Sequence, residues 1–210
     1  VFEEKGHYDQ ALLWANQGLG HHPTQEALLL KKASILLDVY DDLDEAFSLL
    51  KSIKDSFERK SLSSLKEQFD EELLVDVFLL LTDCYRLKGD FNQAFSHAQV
   101  AQELCPKDES ALLAMATAHF ELGRYNQALD LLQVKHAQEP SDYFWLLGQI
   151  HCAMGSFEAA DQAFIEANKI DRTRYHRPIR VTQSVCFSCF EQATLALPKE
   201  IRDFLLKSSV

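Results

Sequence analysis

The chain has 210 residues, 47% of them hydrophobic, with only seven glycines and five prolines. That is enough apolar material for a sizeable core, and little enough Gly and Pro for an all-helical protein. The net charge of −11 argues against nucleic-acid binding, which needs a basic stripe to displace counterions from phosphate. No apolar run approaches the roughly 18 residues of a membrane-spanning helix, and no alternating β-branched runs mark strands.

Along the chain, residues 1–22 read as the second helix of a truncated repeat that starts near Tyr8. Phe2-Glu3-Glu4-Lys5-Gly6 reads as the tail of an earlier helix, so the natural protein is expected to extend upstream of Val1. The string Gly6-His7-Tyr8-Asp9-Gln10-Ala11 returns as Gly89-Asp90-Phe91-Asn92-Gln93-Ala94, as Gly123-Arg124-Tyr125-Asn126-Gln127-Ala128 and as Gly155-Ser156-Phe157-Glu158-Ala159-Ala160. A fifth copy, Asp41-Asp42-Leu43-Asp44-Glu45-Ala46, has Asp for Gly and Leu for the aromatic. Ala94 to Ala128 is 34 residues and Ala128 to Ala160 is 32, while Pro106 to Pro140 is again 34. Gly permits a turn that Cβ would penalise. The aromatic fills the wedge between two helices, Ala lets them approach, and Pro23, Pro106 and Pro140 stop the second helix.

The interval from Ala46 to Ala94 widens to 48. Phe57, Leu62, Leu65, Phe69, Leu73 and Leu74 keep helical spacing through the added residues, and Ser64-Leu65-Lys66-Glu67 reads as a capping box. The spacing predicts two elongated helices at 42–59 and 65–88, protruding about 10 Å from the stack at 1.5 Å per residue. Helix hairpins are expected at 27–59, 65–104, 109–138 and 141–170. A connector rich in Arg follows at 172–178, then helices at about 182–195 and, after Pro198, at 199–207.

A helix–turn–helix period of 34 with this motif resembles the tetratricopeptide repeat, TPR. The resemblance implies an all-α, right-handed superhelical solenoid of antiparallel hairpins, closed by a C-terminal capping helix. Its domains would be residues 1–22, an array over 27–172 with elongated helices around 52–75, and a tail at 173–210. In such proteins positions 2, 5, 9 and 12 of each first helix face a concave groove. Here they include Lys31 and Ile35, then Asp76, Leu79, Asp83 and Arg86, then Ser110, Leu113, Thr117 and Phe120, then Asp142, Trp145, Gln149 and Cys152. TPR co-chaperones that grip a C-terminal carboxylate use Lys and Asn at these places; only Lys31 matches, and Ile35 stands at an Asn position. The strip Leu79, Leu113, Phe120 and Trp145, flanked by Asp76, Asp83 and Asp142, suits a peptide or helix with apolar anchors and basic flanks.

Residues 189–205 bear a second, shorter resemblance, to the opening of bacterial zincin-like metallopeptidase domains, carried by Leu195-Ala196-Leu197-Pro198 and the amphipathic turn after it. It implies an alternative: the recognition domain of a zinc metallopeptidase-like protein whose catalytic part lies beyond Val210. Within the chain there is no His-Glu-x-x-His, no Gly-x-x-x-x-Gly-Lys and no Gly-x-Ser-x-Gly, so no catalytic residue, cofactor site or metal site is expected. Cys186 and Cys189 form a C-x-x-C without the second pair that zinc requires. Cys84 and Cys152 read as buried thiols in a reducing compartment, and His119 and His151, which share a repeat position, as packed histidines. The expectation is a non-catalytic interaction scaffold of the bacterial cytoplasm, with protein partners and neither nucleic acid nor membrane.

Overall fold

The structure, a computed structural model, describes residues 2–57, 64, 69–133 and 141–170. Every element among them is helical: α1 (Phe2–His21), α2 (Glu26–Ile35) running into a π turn (Leu36–Tyr40), α3 (Leu43–Phe57), α4 (Glu71–Leu87), α5 (Phe91–Leu104), α6 (Glu109–Glu121), α7 (Tyr125–Leu132), α8 (Ser141–Ala153) and α9 (Phe157–Ile170). Among them α2/α3, α4/α5 and α8/α9 pack as antiparallel hairpins, where the repeat spacing predicts them. The fold is all-α, of the TPR solenoid type. The chain forms two compact units, Val1–Ala118 and His119–Val210. The expected connector, the helices after 181, the capping-box Glu67 and the segment 134–138 lie outside the described residues.

The repeated glycines do what the sequence asks of them. Gly89, Gly123 and Gly155 have φ of 77°, 71° and 77°, the left-handed region where a Cβ is penalised. The residue after each donates its backbone N–H five residues back, Asp90 to Tyr85, Arg124 to His119 and Ser156 to His151, at 2.8–2.9 Å. These bonds satisfy carbonyls that the helix end leaves open. Asp41, standing in for Gly, takes the same conformation at φ 58°, which Asp tolerates better than most residues. In that copy, however, Asp42 N–H reaches six residues back, to Leu36 O at 3.0 Å. From the start of α2 to Ala46 is also one residue longer than from the start of α6 to Ala128 or of α8 to Ala160. The π turn holds that extra residue.

Three helices are opened by aspartate. Asp42, Asp90 and Asp108 accept bonds from the backbone N–H groups of Glu45, Gln93 and Ala111 at 3.1, 3.2 and 2.7 Å, the N-cap role that short acids fill best.

Two expectations change. α1 runs through Gly6 without a turn; a helical Gly costs only about 1 kcal/mol. α4 starts at Glu71, six residues later than the apolar spacing predicts. Phe69 sits in a bend and packs on Phe57, ring centroids 5.0 Å apart, and Asp70 is extended at ψ 137°. The acidic pair Glu71–Glu72 then meets the positive end of the helix dipole.

The core of the first unit gathers Leu50, Ile53 and Phe57 of α3, Leu74, Val77, Phe78, Leu81 and Cys84 of α4, Ala101 and Leu104 of α5 and Ala111 of α6. On α3 the buried residues Ala46, Leu50, Ile53 and Phe57 recur every three or four positions, the stripe of an amphipathic helix. His97 is buried between Tyr85 and Phe78, at ring distances of 4.9 and 6.0 Å. In the second unit α8 and α9 pack closely at Gly148. A Cβ there would lie 2.5 Å from the Phe164 ring, and Phe164 in turn packs on Trp145 at 4.8 Å. Tyr143 Oη donates to Leu132 O at 2.8 Å, tying α8 to α7.

Candidate partner-binding surface

Asp76, Leu79, Asp83 and Arg86 recur at three- and four-residue steps on α4, which puts them on one stripe of that helix. Asp76 and Asp83 are exposed, and Leu79 and Arg86 half-buried between them. Arg86 Nη1 donates to Asp83 Oδ1 at 3.1 Å, an exposed pair worth little to stability. Asp76 is the more telling residue. Its carboxyl is held above the usual carboxylate range by partial withdrawal from solvent, then by the negative charges of Glu72 and Asp108; Lys31 pulls it back. Charges from α2, α4 and the start of α6 thus converge there. On α6, Leu113 and Thr117 lie one turn apart and half-buried, with Thr117 Oγ1 donating to Leu113 O at 2.7 Å.

In the second unit α8 carries exposed Asp142 and half-buried Trp145 and Gln149 on one stripe. Trp145 leans on Phe164 and keeps part of its ring in solvent. Phe120 does not join the exposed anchors. It is 9% exposed and packs on Tyr125 at 5.8 Å, so it belongs to the packing of its hairpin and offers a partner little surface. Ile35 is likewise core, at 2%. Glu72 and Asp108 were not singled out in the sequence. The one-turn spacing of Glu72 to Asp76, and an Asp three residues before Ala111 at a helix start, are the signals that would have found them.

Among the described residues no group of three or more His, Cys, Asp or Glu is placed to hold a metal ion. Cys84, Cys105 and Cys152 are free thiols. Burial, and then Asp83, push the Cys84 thiol up to about 12, with Lys88 opposing, far from the lowered values of reactive cysteines. His119 is pushed below its ordinary value by burial and by Arg124, as a packed imidazole is. No described helix is long and apolar enough to cross a membrane.

A tetratricopeptide repeat family model matches residues 141–174, where α8 and α9 form the hairpin just described. The chain is a tetratricopeptide repeat protein. A second model, for subunit 3 of the anaphase-promoting complex, or cyclosome, matches residues 66–135 of this TPR chain. Among solved structures it is similar to a thermophilic TPR protein of Thermus thermophilus, at 18% identity and TM-score 0.61 over 82% of this chain and 87% of that one. It is similar also to MamA, at 15% identity and TM-score 0.57 over 82% and 94%, and to MamA of MSR-1, at 17% and 0.55 over 80% and 90%. No curated protein sequence matches. At these identities the likeness establishes the fold. TPR repeats make the chain, in general terms, a protein-interaction module, and this fold is typically a non-catalytic scaffold. None of the comparisons supports the metallopeptidase-like resemblance of residues 189–205, which lie outside the described residues.

Proposed function

We propose that this TPR protein is a non-catalytic scaffold of the cytoplasm that binds a basic protein segment carrying apolar anchors. The observation that carries this reading is the setting of Asp76. Partial desolvation first, then the like charges of Glu72 and Asp108, hold its carboxyl up against the pull of Lys31, and a further cationic side chain docking there would ease that repulsion. Leu79 beside it, and Leu113 on α6, offer half-buried apolar contacts to the same segment. In the second unit Asp142 and Trp145 repeat the pairing of acid with apolar anchor. An aromatic that is part exposed and already braced, as Trp145 is by Phe164, loses little freedom on binding, the property of an interface hot spot.

The test uses two designed helical peptides of the same apolar face, one built on Lys and Leu and the other on Glu and Leu. Fluorescence anisotropy should show binding of the basic peptide, weakening with salt, and none of the acidic one. Asp76→Lys together with Asp83→Lys should slow association and flatten the salt dependence. Trp145→Ala should weaken binding by about 2 kcal/mol. Equal binding of both peptides, or affinity unmoved by all three substitutions, would refute the reading.

A further inference from the structure

The same place in each motif copy, eight residues after the turn residue, holds Trp14, Leu49, His97, Leu131 and Ala163. Four copies carry an apolar side chain there and one carries an imidazole, so packing does not require it. Yet the His97 ring is only 4% exposed, stacked on Tyr85 and set against Phe78 of α4.

The two ring nitrogens differ. Nδ1 lies 2.7 Å from the Gln93 carbonyl oxygen, which can only accept, so Nδ1 carries the proton of the neutral ring. Nε2 is buried and has no hydrogen-bond partner among the described residues. A second proton can be taken up only at Nε2, and the N–H made there would be a buried, charged donor with no acceptor. The neighbouring helices offer that charge no relief. α4 presents the Tyr85 phenol, α3 presents Lys54, a like charge, and α6 brings Ala111 to this core. No carboxylate among the described residues pairs with the ring.

His97 also ends a chain of contacts through three helices. Tyr85 meets Phe47 of α3 edge to face at 5.1 Å. Lys88 of α4 lies over that Phe47 ring, and its Nζ donates to Asp44 Oδ1 at 2.8 Å. Leu79 and Arg86, the residues after Phe78 and Tyr85, belong to the stripe of α4 described above, so what seats His97 also seats that stripe.

We propose that His97 is an acid-operated latch: a solvent proton taken up at Nε2 drives the ring towards water and lets α4 and α5 part locally, while α8 and α9 stay folded. This inference is independent of the peptide-binding reading, because it is read without a partner.

The test is hydrogen exchange of the full chain by mass spectrometry at pH 7.5 and pH 5, each peptide referred to the unfolded chain at the same pH. A histidine released to water titrates near 6.5, so opening becomes up to about tenfold easier for each pH unit below that value. Protection of α4 and α5 should fall at least about fivefold by pH 5, and that of α8 and α9 less than about twofold. His97→Gln, neutral throughout and still able to donate to the Gln93 carbonyl, should abolish the acid loss. Lys54→Glu is the second variant: it replaces a like charge by an opposite one and should move the loss to lower pH, a response that a purely structural histidine would not give. Unchanged protection at pH 5, or an equal loss in α8 and α9, would overturn the proposal. So would an acid loss that persists in His97→Gln, or one that Lys54→Glu leaves where it was.

Discussion

Replacing Gly148 by Ala tests the tight α8/α9 contact through the sign of the effect. In an open helix Ala is favoured over Gly by about 1 kcal/mol. At this site the new methyl would sit 2.5, 2.7 and 2.8 Å from Cε1, Cδ1 and Cζ of Phe164, about 1 Å inside ordinary carbon contact. The ring has no easy retreat, because Trp145 braces it at 4.8 Å. Overpacking of this kind costs about 1–3 kcal/mol. The expected net effect is a loss of about 1 kcal/mol after the propensity gain is set against it. In a Phe164→Leu background the outer ring atoms are gone, and Gly148→Ala should become neutral or stabilising. The coupling between the two sites should lie at about 1–3 kcal/mol. The assay is urea unfolding of the full chain followed by tryptophan fluorescence. The chain has two tryptophans, one in each unit, and Trp14 is 67% exposed, so a Trp14→Phe background leaves Trp145 to report on the second unit alone. Midpoints are compared at unchanged slope. A midpoint that rises in the Phe164 background, or shifts equally in both, would refute the steric argument.

Gly89→Ala should destabilise for a different reason. A Cβ there meets nothing within 4 Å, so the loss of about 1–2 kcal/mol comes from φ 77° alone; Gly123→Ala should match it in thermal unfolding. His97 gives a pH dependence. Burial pushes its pKa below 6.5, the Gln93 carbonyl raises it and Lys54 lowers it again. The unfolded chain therefore takes up a proton near pH 6.5 that the native ring resists, so stability is complete above 6.5 and declines as pH falls through the native value. The urea midpoint should drop on that acid side, and less steeply in His97→Gln. Cys84, with its thiol near 12, should not react with Ellman's reagent at pH 8 until urea is added, whereas the half-buried Cys105 and Cys152 should.

The scaffold was legible because each motif residue has one job that its type alone specifies. A Gly at C′, an aromatic two residues on and an Ala at the close approach leave little choice of local geometry, and the hairpins follow from their spacing. The start of α4 was not legible, since Phe69 fits the helical stripe that Leu73 continues; in the structure it sits in a bend and packs on Phe57, and that contact is not written in the local pattern. Among the candidate site residues, position in the repeat told which side of a helix each occupies and not how far the next element covers it. Phe120 and Trp145, at positions 12 and 5 of their repeats, both belong to the side expected to face the groove and differ in cover: Phe120 is buried and packs on Tyr125, while Trp145 packs on Phe164 and stays half-buried. The cluster at Asp76 was hidden for a related reason: its neighbours come from three separate stretches of chain, and only folding brings Lys31, Glu72 and Asp108 to it.

The π turn at Leu36–Tyr40 bears on how such a chain can change its length. One added residue in a helix ordinarily rotates everything after it by about 100°, which would swing Ala46 away from its neighbour and turn the buried stripe of α3 towards water. Here the addition is confined to a single widened turn, and Ala46 is as fully buried as Ala94 and Ala128. The widened turn works as a slip joint. A turn that holds one added residue in this way leaves the phase of α3 as it is in the shorter repeats, so repeats that differ by one residue can be strung together without a second change to correct the first.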